Sequence, residues 1–350
     1  MGLSELQMRN LVLHHARLIQ TAVLIAVLFT LTACPKRDNK PDPGRVGIST
    51  SPVSASPTAP AIPGAIAFNG ERAMDHVRKQ VELGPRPPGS PEAAQVRDYI
   101  VGELKKYGLS VTTDPFTAAT PMGETRMTNI TAEIPGESSD VLIIASHWDT
   151  KLYKDMHFVG ANDPGASVGT LLEIARVISG LQQKPKLTYW LVLFDGEEAF
   201  CRNWEDCGEP NAPDNTYGSR RYVSELRAKN ELKRVKALIL LDMIGYKDLE
   251  LGRDTMSTRW LQDVIWQTAR EMGHGSIFVE REEAVGGDDH EPFLRAGIDS
   301  VDLIQLNSYP HWHRATDTID QVSSQSMKVV GEVVLASLPR VEQRILSRRK

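Results

Sequence analysis

Three short apolar runs, at 141–145, 187–193 and 235–241, constrain the fold of this chain more than any other feature. Runs of that length with almost no polar residue are too short for buried helices and read as strands covered on both faces. Further strands are expected at 109–113, 127–134 and 298–303. Helical spacing of apolar residues falls between them, at 73–81, 92–106, 166–178, 218–229, 260–272 and 325–345. Buried strands alternating with helices predict an α/β fold of three layers: a central, mostly parallel, mixed twisted sheet with helices on both faces.

Polar clusters sit where these runs end, the edge at which open α/β sheets bind ligands. Phe194-Asp-Gly-Glu-Glu-Ala-Phe200 places Glu197 and Glu198 side by side just after a strand. Adjacent carboxylates repel, and a cation that takes one and leaves the other as a base accounts for the pair. A solvated acidic turn is the plainer alternative. His147-Trp-Asp149 follows the run at 141–145, and Gly160-Ala-Asn-Asp163 precedes the helix at 166–178. Asp242-Met-Ile-Gly245 ends the run at 235–241. His311-Trp-His313 follows the last strand, with Asp317 close behind. Asp288-Asp-His290-Glu-Pro292 precedes that strand and reads as a helix start with proline in the first turn. Singly, each cluster has an ordinary explanation; Asp163, for one, could be only a helix N-cap. Together they supply imidazole and carboxylate donors, which zinc takes together, and a catalytic zinc keeps one position open. Asp163, Glu198 and His313, with Glu197 free as base, meet that need. Trp190 reads as core, His157 and His274 as surface, Asp195 as a turn cap, and Asp289 and His290 as residues that could orient a helix.

The net charge of −5 over 350 residues, with no basic block, argues against nucleic-acid binding. Arg348-Arg-Lys350 reads as a solvated tail. Near the N-terminus, basic residues precede an apolar run at 21–30 that is too short for a comfortable membrane span and fits a signal peptide. Leu31-Thr-Ala-Cys34 resembles the bacterial lipoprotein cleavage box, which implies lipid on Cys34; an uncleaved anchor or a simple secretory signal are the alternatives. Residues 35–64 are rich in Pro, Ser, Thr and Ala, bury too little to fold, and read as a disordered tether. One zinc-dependent catalytic domain, 65–350, remains. In an oxidising envelope compartment, Cys201 and Cys207 are expected to close a short disulfide hairpin or to stay free thiols.

The order and wording of these clusters resemble the zinc-dependent exopeptidase superfamily that contains bacterial leucyl aminopeptidases and the animal-type glutaminyl-peptide cyclotransferases. The resemblance runs from Val81-Glu-Leu-Gly-Pro-Arg-Pro-Pro-Gly-Ser90 to Asp320. His147-Trp-Asp-Thr-Lys151, Phe158-Val-Gly-Ala161, the Glu197 segment with Trp204 downstream, Tyr217-Gly-Ser-Arg220, Asp288-Asp-His290 and Trp312-His313 follow the cyclotransferase form. Gly160-Ala-Asn-Asp-Pro-Gly-Ala166 is closer to the peptidase wording, and the Cys201–Cys207 segment reads as an insertion beside the active site.

The resemblance implies one zinc held by Asp163, Glu198 and His313. Glu197 would be the proton shuttle, Asp242 and Asp288 a hydrogen-bond network around it, and Trp312 and Trp204 walls of the substrate pocket. The activity implied is conversion of N-terminal glutamine in peptides or proteins to pyroglutamate with release of ammonia. The alternative is a two-zinc aminopeptidase in which His147 and Asp242 bind a second ion, Asp163 bridges, and Glu197 activates a water. An envelope binding protein without chemistry is a third reading. The expected setting is the bacterial cell envelope, lipid-anchored on its periplasmic or extracellular face, with a monomeric working domain.

Overall fold

The computed structural model describes residues 67–348. The signal segment, Cys34 and the tether lie outside the described residues.

Six strands make the central sheet: β1 (Ser110–Thr120), β2 (Gly123–Ile134), β3 (Ser138–His147), β4 (Leu187–Phe194), β5 (Val235–Asp242) and β6 (Asp299–Ile304). Their spatial order is β1-β2-β4-β3-β5-β6. β1 with β2 and β2 with β4 are antiparallel, whereas β3 with β4, β3 with β5, and β5 with β6 are parallel. The register pairs His147 with Phe194 and Ile304 with Asp242. The carboxyl ends of four strands therefore finish level, and the polar clusters that follow them share one rim.

Period-two alternation sorts the apolar runs into two cores. Val141, Ile143, Ala145, Trp190, Val192 and Phe194 pack against helices α4 (Tyr217–Ala228) and α6 (Glu291–Arg295) through Val223, Leu226 and Phe293. Leu142, Ile144, Leu191 and Leu193 face the larger cluster. That face is covered by α1 (Gly70–Leu83), α2 (Pro91–Lys106), α3 (Ser167–Ser179), α5 (Arg259–Glu271) and α7 (Ser324–Ser347). The three-layer α/β expectation holds. Side-chain caps start several helices: Asn69 accepts from the N–H groups of Glu71 and Arg72, and Ser90, followed by Pro91, accepts from Ala93.

The structure departs from the sequence expectations in three places. The strand expected at 109–113 is the first half of a hairpin arm reaching Thr120; as an edge strand it is nowhere fully buried, so no apolar face marks its length. Pro115 is tolerated there because it lies on the sheet edge. A second, parallel pair, Leu251–Asp254 with Phe278–Glu283, is hidden in sequence by its charged residues. The helix expected from 166 is preceded by a π-helical turn, Ala161–Ala166, in which Asp163 leaves helical geometry at φ −109° and ψ 91°. Gly160 makes that turn possible: its φ is +54°, and a Cβ there would stand 2.0 Å from the Asp163 carbonyl oxygen. Cys201 and Cys207 are disulfide-bonded. Among the described residues no helix is long and apolar enough to cross a membrane.

Leu191 is fully buried on a central strand. Leu191→Ala is expected to lower stability by about 2–5 kcal/mol, read from the midpoint of urea unfolding at unchanged slope.

Candidate functional site

The rim is organised first by a buried cation. Arg86, from the Gly-Pro-Arg-Pro-Pro-Gly segment, is completely buried. Its guanidinium donates to the carbonyls of Trp148 (2.9 Å), Val159 (2.8 Å) and Gly160 (3.2 Å), and its N–H donates to Thr150 Oγ1 (2.9 Å). One side chain thus ties the segment after β3 to the turn that carries Asp163. Burial lowers its pKa to about 10, against the pull of Asp149, Asp163 and Asp317, so it stays charged.

Each donor is then fixed through its backbone. Asp317 accepts from the N–H groups of Asn162 (2.9 Å) and Asp163 (3.1 Å) and from the Tyr309 hydroxyl (2.6 Å). Asp149 accepts from the N–H groups of Glu197 (3.1 Å) and Glu198 (3.3 Å). His313 takes φ +54°, and Met243, next to Asp242, takes φ +48°. Such values cost a non-glycine residue free energy and persist where the surroundings impose them.

Asp163, Glu198 and His313 come together with one donor atom each, all within 4.8 Å of one another. His313 Nε2 lies 3.1 Å from Glu198 Oε1 and 3.6 Å from Asp163 Oδ2. Asp163 does not act as an N-cap: no side chain caps α3. A second trio, His147, Asp163 and Asp242, meets the same criterion. Its His147 Nε2 lies 3.2 Å from Asp242 Oδ1 and 3.3 Å from Asp163 Oδ1. Glu198 Oε2 and His147 Nδ1 are buried without a hydrogen-bond partner. A set of imidazole nitrogens and carboxylate oxygens with orphaned buried atoms suits a zinc ion. Glu197 stands apart from both trios, with Oε2 at 3.8 Å from His147 Nδ1. Asp242 bonds to His147, whereas Asp288 accepts from the Asp289 N–H and pairs with Asp302.

Crowding sets the protonation pattern. Burial pushes the Glu197 carboxyl well above its ordinary range, Asp288, Glu198 and Asp289 push it further, and His147 opposes them. Burial raises Asp242 to about 7 against the pull of His147. Glu198 goes the other way: burial would raise it, but His313 and Lys151 hold it below the usual carboxylate range. His147 and His313 resist burial and are raised by the carboxylates around them. A divalent cation among these donors would replace the protons that the crowding draws in.

A cavity of about 440 Å³ opens over the site, lined by Asp163, Glu197, Asp242, His313, Trp204 and Trp312, among others. Trp312 is 41% exposed, and its ring stacks on His313 at 4.3 Å between centroids. Trp204 comes from the disulfide-closed loop. Asp288 is buried at the cavity wall. His311 turns aside to Thr316, while His290 faces Asp254 at 3.3 Å, and neither lines the cavity. Asp195 bonds to the Gly196 N–H at the turn, as expected, and also accepts from the Thr128 N–H across the sheet. Sequence reasoning gave no role to Arg86 or Lys151 and none beyond proximity to Asp149 and Asp317. Polar residues beside glycine-rich turns were the available signal.

Comparison with known proteins places this geometry. Residues 129–338 match the family model described as Peptidase family M28. The glutaminyl-peptide cyclotransferase of Bos taurus is 28% identical over 282 residues, covering 71% of this chain and 76% of its own. The crystal structure of Acidobacteriales bacterium glutaminyl cyclase superposes with a TM-score of 0.75 at 34% identity, covering 82% of this chain and 99% of its own. A leucine aminopeptidase precursor from Bacteroides thetaiotaomicron superposes with a TM-score of 0.71 at 26% identity, over 79% of this chain and 98% of its own.

Arg86→Leu leaves three buried carbonyls without their donor. It is expected to cost about 3–5 kcal/mol in urea unfolding, far above the effect of an exposed Arg→Leu control.

Proposed function

The chain belongs to the zinc-dependent peptidase family M28, as one of its glutaminyl cyclases, and on that premise we propose that it converts the N-terminal glutamine of peptides to pyroglutamate and ammonia with a single zinc held by Asp163, Glu198 and His313. The observation that carries the assignment of roles is Glu197: a buried carboxyl on the cavity wall, outside the donor trio, with its pKa raised well above the ordinary carboxylate range by burial. A group poised there can both take and return a proton.

When bound, the zinc supplies Lewis acidity and positive charge toward an amide oxygen. Glu197 takes a proton from the substrate α-amine as its nitrogen bonds to the γ-carbonyl carbon. It then gives that proton to the amide nitrogen, which leaves as ammonia when the old C–N bond breaks. Attacker and target belong to one residue, so the remaining task is to fold the side chain back and hold it. Trp312, held by its stack on His313, and Trp204, which lines the same cavity, would do so by contact and by excluding water. Asp242 and Asp288 would form a hydrogen-bond network around Glu197.

A second reading, removal of whole N-terminal residues with two zinc ions, is favoured by one observation: the trio of His147, Asp163 and Asp242 also offers a closed donor set. Asp163 would then bridge.

We also read the chain as a monomer anchored by lipid on Cys34 in the bacterial cell envelope. Support comes from Leu31-Thr-Ala-Cys34, the Pro/Ser/Thr-rich tether behind it, and a disulfide suited to an oxidising compartment. Labelled palmitate should enter the chain in cells and fail to enter Cys34→Ser.

With zinc-loaded protein, a peptide beginning Gln-Leu is expected to lose ammonia and one beginning Leu-Gln to stay intact by mass spectrometry. Loss of leucine with two zinc ions per chain would establish the second reading instead. Glu197→Gln should cut kcat by roughly 10²- to 10⁴-fold while zinc content stays unchanged.

A further inference from the structure

One buried cation near the donor trio has no part in the chemistry just described. Lys151 is 1% exposed, and a lysine is almost never buried without partners for its charge. Its Nζ donates to the carbonyls of Ala199 (2.8 Å) and Cys201 (3.2 Å). It also lies 3.7 Å from Glu198 Oε2, the oxygen that has no hydrogen-bond partner. At that distance the contact is an ion pair rather than a hydrogen bond.

The carbonyls that hold the ammonium belong to the entry of the disulfide-closed loop. Cys201 is bonded to Cys207, and its N–H donates to Asp214 Oδ2 at 2.8 Å. Asp214 Oδ1 accepts from the Tyr217 hydroxyl at 2.7 Å, on the first residue of α4. Cys201 is therefore held from three directions: by the disulfide, by Asp214, and by Lys151 through its carbonyl. The ammonium has three N–H groups. Two go to carbonyls whose positions the loop sets, and the third is left for the Glu198 side.

We propose that the Cys201–Cys207 loop is a latch on the metal site, with Lys151 as the positioning residue through which it fixes the Glu198 carboxylate. This inference rests on Glu198 being a zinc ligand. With the disulfide closed, the ammonium occupies one side of the carboxylate and turns Oε1 toward His313 and Asp163. With the disulfide open, Cys201 loses one of its three ties, the two carbonyls move, and the ammonium no longer sets the direction of Glu198. The same loop carries Trp204 on the cavity wall, so a loop that acted only as wall would change peptide binding and leave the metal alone. The two roles separate in measurement.

Zinc affinity is measured by chelator competition on the full chain, with peptide KM alongside, for Lys151→Met, for Cys201→Ser with Cys207→Ser, and for the triple variant. The latch predicts that Lys151→Met and the double serine variant each weaken zinc by roughly 10- to 100-fold, the usual range when a residue that orients a metal ligand is lost. The triple variant is expected to lose no more than the weaker-binding of the two, because neighbours in one chain of contacts do not add. Lys151→Met should leave KM unchanged. Wild-type zinc affinity in Lys151→Met, or additive losses in the triple variant, would overturn the latch. Should a substitution prevent folding, opening the disulfide of the wild-type chain with a phosphine reductant reads the same step: faster zinc release is expected, and unchanged release overturns it. Glu198→Ala is the control for the premise. Its loss of zinc together with unaffected Lys151→Met would sink the latch alone, whereas zinc retained at wild-type affinity in Glu198→Ala would sink both the ligand assignment and the latch.

Discussion

Buried like charge governs this structure. Asp149, Asp163, Glu197, Glu198, Asp242 and Asp288 all lie below the surface around one rim of the sheet. Carboxylates packed this closely cannot all stay ionised without compensation, because removal from water and mutual repulsion act in the same direction. The fold answers with two imidazoles, His147 and His313, and two buried cations, Arg86 and Lys151. Backbone N–H groups add to this where Asp149 and Asp317 accept them in pairs. Even so, the carboxyls of Glu197 and Asp242 stay raised, and His147 Nδ1 is buried without a hydrogen-bond partner. Level parallel strand ends make the crowding geometrically possible, and Gly160 and the turn it opens let Asp163 reach the centre.

The sheet was legible because its central strands are buried on both faces and so must be apolar throughout. The rim was legible in outline for the opposite reason: His147, Glu197 and Asp242 are polar residues set close against the ends of those runs, and Asp163 and His313 stand in polar clusters between the elements. What escaped has a common cause. Arg86 and Lys151 bond to carbonyl oxygens, and a backbone acceptor leaves no letter in the sequence. The length of β1 and the pair formed by Leu251–Asp254 and Phe278–Glu283 escaped because exposed or charge-rich strands carry no apolar alternation. His147 illustrates a further limit. Its presence was plain, but its contacts with Asp149, Asp163, Glu197 and Asp242 depend on four separate segments converging.

Asp163 faces both histidines, Oδ1 toward His147 and Oδ2 toward His313. One carboxylate thus belongs to two candidate donor sets at once, one with each histidine. The presence of both sets therefore does not by itself choose between the two proposed reactions. The discriminating features are which of the two sets is completed by its surroundings and what the aromatic walls leave room for.

Asp163, Glu198 and His313 come from segments that follow β3, β4 and β6, strands far apart in sequence and brought level only when β5 has joined β3 to β6 in the sheet. Contacts of that kind form late, since long loops must be closed before they are rewarded. No short stretch of the chain can gather the trio, in contrast to a zinc finger, whose ligands lie close together and whose metal drives its folding. On the proposed ligand set, metal capture by this chain would follow assembly of the sheet, so a loaded site would mark a finished molecule.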